Sequence, residues 1–122
     1  MHTYHVISGA WENAVGKILG VGYSGYPPHT NRVESESLHN LGPLPRGLYK
    51  MTELIAKSSH GPDAIRLEPL PETEMFGRDG FLIHGERLMP PAGEASNGCL
   101  ILGHDIRLEI WNSGDHLLEV VA

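Results

Sequence analysis

Glycine and proline punctuate this chain so densely, with 15 and 9 in 122 residues, that long helices have little room to form. A glycine in a helix interior costs about 1 kcal/mol relative to alanine and a proline about 3 kcal/mol. The same residues suit short strands joined by turns, so the expected class is mainly β. Hydrophobic residues make up 40% of the chain and charged residues 20%, which is ordinary for a globular protein. A chain of this length supports one core, and the expectation is a single domain over residues 1–122.

Thr3–Ser8 alternates with Tyr4 and Val6 on one side and reads as a strand closing at Gly9. Its hairpin partner is expected in Val15–Tyr23. Trp11, Val15, Ile18 and Leu19 also fit a helical spacing there, but Gly16, Gly20 and Gly22 argue against a helix. Residues 24–42 lack any period and read as a long surface loop. Gly47–Leu54 and Ala64–Leu67 read as strands, the second with Ile65 and Leu67 inward, joined by a turn over Ser58–Asp63. Phe81–His84 is a short apolar strand. Met89–Ala95 is broken by prolines into a loop that could fold over a neighbouring site. Leu100–Leu102 reads as buried, followed by a short helix capped by Asp105, with Ile106 and Ile110 on one face and Gly114 at its end. His116–Val121 reads as the last strand.

The net charge of −6, with no cluster of Lys or Arg, disfavours nucleic acid and anionic membrane surfaces as partners. No window is long and apolar enough for a membrane span. The amino terminus lacks a basic segment followed by an apolar one, so the expectation is synthesis in the cytoplasm without a cleavable signal.

Cys99 is the only cysteine and cannot form an intrachain disulfide. It follows Ser96-Asn97-Gly98 and lies fifteen residues after His84, which ends an apolar run and precedes Gly85. A thiol with an ordinary pKa of about 8.5 is mostly protonated at neutral pH and needs a base to become a nucleophile. An imidazole can take the proton or pair as a cation with the thiolate. His84 is the candidate base and Cys99 the candidate nucleophile. The N–H groups of Gly98 and Cys99 are candidate oxyanion donors, and the Ser96 hydroxyl is a candidate brace for the turn. Two other readings stay open at this level. Gly98-Cys99-Leu100-Ile101-Leu102 could be a core strand with an inert thiol, or Cys99, His104 and His84 could ligate a metal, although the paired spacing of zinc sites is missing. His2, His5, His29, His39, His60 and His116 read as solvent-facing or turn residues, and Glu34 and Glu36 as a solvated face.

His84-Gly85, a loop, and then Ser96-Asn97-Gly98-Cys99 resembles the active-site signature of L,D-transpeptidases: histidine-glycine, a loop, then serine, any residue, glycine and cysteine. Gly42-Pro43-Leu44-Pro45-Arg46-Gly47-Leu48-Tyr49 resembles the proline-glycine-tyrosine strand entry of that fold. Gly22-Tyr23-Ser24-Gly25 is similar to the corresponding segment of a compact branch, the L,D-transpeptidase-like toxins delivered by bacterial type VI secretion. Two positions depart from the larger family. Asn97 stands where many relatives have histidine, and Ile101 where they often have arginine, which leaves Arg46, Arg87 and Arg107 as candidates for binding a substrate carboxylate.

The resemblance implies an L,D-transpeptidase-like β-sandwich or barrel with one short helix after the catalytic cysteine, and chemistry without a metal or organic cofactor. It implies that Cys99 attacks the third residue of a peptidoglycan tetrapeptide stem and expels D-alanine, with His84 moving the proton. The thioester then passes to water or to an amine. Tyr23, Ser24, Gly85, Asn97 and Tyr26 become candidate substrate contacts. The implied partners are the stem peptide, an immunity protein and the secretion machinery, and the implied place of action is the periplasm or the target-cell envelope. Two rivals remain: a module of the same fold that grips wall peptides or a partner protein without turnover, and a cysteine amidase or peptidase of another fold, many of which place cysteine before histidine along the chain.

Overall fold

A computed structural model describes residues 1–122. Nine strands form one sheet: β1 (His2–His5), β2 (Ala10–Glu12), β3 (Ile18–Val21), β4 (Tyr23–Ser24), β5 (Gly47–Ser58), β6 (Gly61–Pro69), β7 (Leu82–His84), β8 (Leu100–Ile101) and β9 (Leu117–Val121). One α-helix, α1 (His104–Asn112), follows β8, and a short 3-10 turn covers Val33–Ser35. The strand order is β3-β2-β1-β9-β5-β6-β7-β8-β4. The two end strands, β3 and β4, are consecutive in sequence and joined only by Gly22, so the sheet curls into a nearly closed, mainly β barrel. That closure requires glycine at 22, where a Cβ would stand 1.9 Å from the Ile101 carbonyl oxygen.

The inward residues of the long strands fill the core. Tyr4, Trp11, Tyr49, Met51, Ile65, Ile83, Leu100, Ile110 and Leu118 are buried in one cluster. The expected alternation in β6 holds, with Ile65 and Leu67 inside and Glu68 exposed. In α1, Ile110 is buried and Ile106 packs on the core edge.

Several expectations are corrected. The partner of β1 is β2, through Thr3↔Glu12 and Tyr4↔Trp11, while β3 pairs with β2 one strand further out. Three residues were too short a run to show a period. The central hairpin is longer than its apolar pattern, because β5 reaches Ser58 and β6 starts at Gly61, leaving a tip of only Ser59 and His60. Its outer part is exposed, so it carries polar residues and hides from a burial-based reading. Gly103, not Asp105, occupies the cap of α1, and Asp105 lies in the first turn. Residues 24–42 are more than a surface loop: Ser24, Gly25 and Gly42 are buried against the segment that carries Cys99, and Ser35 is buried within the loop itself. His2 is buried too, with Nδ1 accepting from Trp11 Nε1–H at 3.0 Å.

Candidate active site

The sheet topology carries the candidate pair. β7 and β8 run parallel, with Ile83↔Leu100 and His84↔Ile101 in register. Ile83 and Leu100 face the core. Alternation along each strand therefore assigns Leu82 and His84, and Ile101, to the opposite face, and Cys99 immediately precedes β8. Cys99 stands diagonally across the strand pair from His84. It is partly exposed, and its Sγ accepts the Leu82 N–H at 3.4 Å.

The turn before Cys99 is held by buried hydroxyls. Ser96 Oγ accepts from Gly25 N–H at 2.8 Å and Gly98 N–H at 3.1 Å, and donates to the Cys99 carbonyl. Ser24 Oγ donates to the Gly98 carbonyl at 2.9 Å and accepts the Leu44 N–H at 2.8 Å. Both serines are fully buried. Ser24 is thus a support for the cysteine turn, and its hydroxyl is sealed from any substrate. The Gly98 N–H is taken by Ser96, which leaves the Cys99 N–H, without an internal partner, as the remaining candidate oxyanion donor.

His84 is buried, with 3% of its surface exposed. Its Nδ1–H donates to the Gly85 carbonyl at 2.9 Å, which fixes the tautomer and leaves Nε2 as the free acceptor. The His60 ring at the β5–β6 tip packs on it with 4.5 Å between centroids and the planes tilted by 35°. Burial, then the positive fields of His60 and Arg107, push the His84 pKa down against the raising effect of the Gly85 bond. Burial pushes the Cys99 thiol up, opposed by the Leu82 N–H and the Arg78 charge. Both groups therefore rest neutral near pH 7. Both directions weigh against a standing thiolate–imidazolium pair.

A cleft of about 870 Å³ opens beside His84, lined also by His60, Gly85, Glu86, Arg87 and Arg107. Cys99 itself does not line it. Tyr23 and Tyr26 are not among its walls and instead tether its rim: Tyr23 Oη donates to Glu86 at 2.7 Å and Tyr26 Oη to Glu94 at 3.1 Å. The proline-rich loop does border the cleft, through Leu88 and Met89. Asn97 lies on the other side of the cysteine turn, in a depression of about 110 Å³ shared with Arg78 and Phe81, and its side chain donates to the Asn40 carbonyl at 3.0 Å.

Of the three candidate arginines, Arg46 is bound to the Glu36 carboxylate, which is half-buried and ion-paired rather than simply solvated. Arg107 donates to the carbonyls of Pro62, Asp63 and Leu102. Arg87 alone of the three is exposed on the cleft wall. His104 pairs with Asp63 at 2.7 Å, and no three His, Cys, Asp or Glu side chains converge as metal ligands.

Sequence reasoning missed two residues here. His60 is the exposed turn residue expected, but its ring contact with His84 had no signal, since the hairpin tip meets β7 only in the folded chain. Arg78 is 6% exposed and touches the cysteine turn, and its only hint was a charge just ahead of an apolar strand.

No curated protein and no solved structure gives a match. A family model, the Tlde1 domain, matches residues 20–121, from the outer hairpin through the histidine, the cysteine turn, α1 and β9. The chain belongs to the Tlde1 domain family of type VI secretion L,D-transpeptidase effectors.

Proposed function

We propose that this effector is a cysteine enzyme that cuts or exchanges the terminal D-alanine of peptidoglycan tetrapeptide stems in the envelope of a target cell. The observation that carries the reading is the parallel β7/β8 register, which sets His84 beside Ile101, two residues after Cys99, while Cys99 Sγ accepts the Leu82 N–H and His84 Nε2 is free. In the step this supports, Nε2 takes the thiol proton as sulfur bonds to the carbonyl carbon of the third stem residue. The oxyanion forms beside the Cys99 N–H. Collapse breaks the C–N bond, His84 returns the proton to the departing amine of D-alanine, and a thioester remains. Water or another amine then attacks the thioester with His84 as base, which restores the thiol and gives a shortened stem, a D-amino-acid-exchanged stem or a cross-link.

A second reading, a module that grips wall peptides without turnover, is favoured by one observation: Cys99 is only partly exposed and does not line the large cleft. Incubation with disaccharide tetrapeptide followed by mass spectrometry separates the two. The enzyme reading expects a D-alanine loss or exchange that falls at least 1,000-fold in Cys99→Ala, in line with removal of a covalent nucleophile. Intact tetrapeptide with bound but unchanged ligand supports the binding module. Equal turnover by Cys99→Ala overturns the nucleophile assignment.

A further inference from the structure

Arg78 lies in the segment between β6 and β7, where its guanidinium is buried under the cysteine turn. Nη1 donates to the Pro43 carbonyl at 2.8 Å and to the Glu36 carbonyl, while Nη2 donates to the Gly42 carbonyl at 2.8 Å and the Asn97 carbonyl at 3.3 Å. The guanidinium carbon sits 5.1 Å over the Phe81 ring. No carboxylate forms a salt bridge with it, because the Glu36 carboxylate is occupied by Arg46. Carbonyl dipoles satisfy its donors and leave its charge unneutralised.

This cation is packed against the residue before the nucleophile. Gly98 has φ +131°, and a Cβ there would stand 2.4 Å from Arg78 Nη2 and 2.6 Å from Phe81 Cε1. Lysine cannot reproduce four contacts from a planar fork.

We infer that Arg78 is the positioning residue of the cysteine turn: it draws residues 36–43 onto Asn97, seats Gly98, and holds a buried positive charge against the residue that precedes Cys99. The inference rests on Cys99 being the nucleophile. Its role divides into two parts, a charge that favours thiolate and a fork that sets the turn. Arg78 is the charged group acting on Cys99, with the Leu82 N–H as the other contact. Tyr49 and Glu36 also act on the Arg78 charge, and His84 is buried on β7.

The test uses the single cysteine as its own reporter, through the pH dependence of iodoacetamide alkylation read by mass spectrometry, beside kcat on disaccharide tetrapeptide. Removing an opposite charge at close range shifts a pKa by about one unit or more. Arg78→Met is therefore expected to lower the alkylation rate at pH 7 by about tenfold, with its midpoint moved upward. Arg78→Lys is expected to keep the wild-type midpoint within about half a unit yet lose about tenfold in kcat, because it keeps the charge and loses the fork. If Arg78→Met does not fold, Arg78→Lys carries the test alone. An unchanged midpoint in folded Arg78→Met, or full kcat in Arg78→Lys, overturns the inference. Alkylation needs no turnover, so a wild-type protein inactive on tetrapeptide would sink the enzyme reading while leaving the charge effect measurable.

Discussion

The two halves of the candidate site are built in opposite ways. On the cysteine side, Ser24, Ser96 and Arg78 are buried, all three are bonded to backbone, and a depression of only about 110 Å³ lies beside Asn97. On the histidine side a cleft of about 870 Å³ is bordered by a hairpin tip and a proline-rich loop whose Leu88 and Met89 are 100% and 70% exposed. Each half has a buried arginine that donates to carbonyls: Arg78 beneath the cysteine turn and Arg107 behind Gly85. The contrast teaches a division of labour. An attacking atom needs a fixed trajectory, whereas the side that receives a peptide needs surfaces that can adjust.

The sharpest way to break the contrast is Ser96→Ala. It strands the N–H groups of Gly25 and Gly98 and the Cys99 carbonyl at a site closed to water. The expected cost is about 3 kcal/mol in denaturant unfolding, with stem-peptide turnover down at least 100-fold. Arg107→Met should cost less, about 2 kcal/mol, and lower turnover by under about tenfold, since the adjoining cleft lets water reach the carbonyls it leaves. A larger activity loss in Arg107→Met than in Ser96→Ala would reverse the assignment of rigid and adaptable sides.

The smallest expected effect is on pH. The His84 pKa is held below its ordinary 6.5, so the acid limb of kcat/KM should fall below pH 6.5. The linked stability has the same sign: it is present above pH 6.5 and lost as pH falls through the lowered value, because the folded state resists the proton. His60→Ala uncovers the ring and removes one lowering influence. Its acid limb should move upward toward 6.5 with less than about 1 kcal/mol change in stability. A downward shift would show that His60 does not shield His84.

What the sequence made legible was local. The inward faces of β1 and β6, the apolar strand ending at His84, the helix after the cysteine and its stop near Gly114 follow from periods and turn residues within a few positions. The candidate cysteine segment stood out for the same reason, as a short pattern around Gly98 and Cys99. The support beneath it was not. Ser24 reaches Gly98 across 74 positions and Arg78 reaches Gly42 across 36, and neither distance leaves a trace in a window of a dozen residues. Residues 24–42 read as surface because their burial comes from that distant arginine and from the turn before Cys99, not from apolar content of their own.

The place of β1 in the strand order bears on how little of the chain could be spared. It lies between β2 and β9, pairing with β9 from His2↔Leu118 to His5↔Val121, yet both β1 and β2 precede the span shared with the family. Trimming to that span would bare the ladder edge of β9 and uncover the apolar side chains of Leu118 and Val120 to neighbouring molecules, an invitation to edge-to-edge aggregation. The unit that folds is larger than the unit that relatives make recognisable.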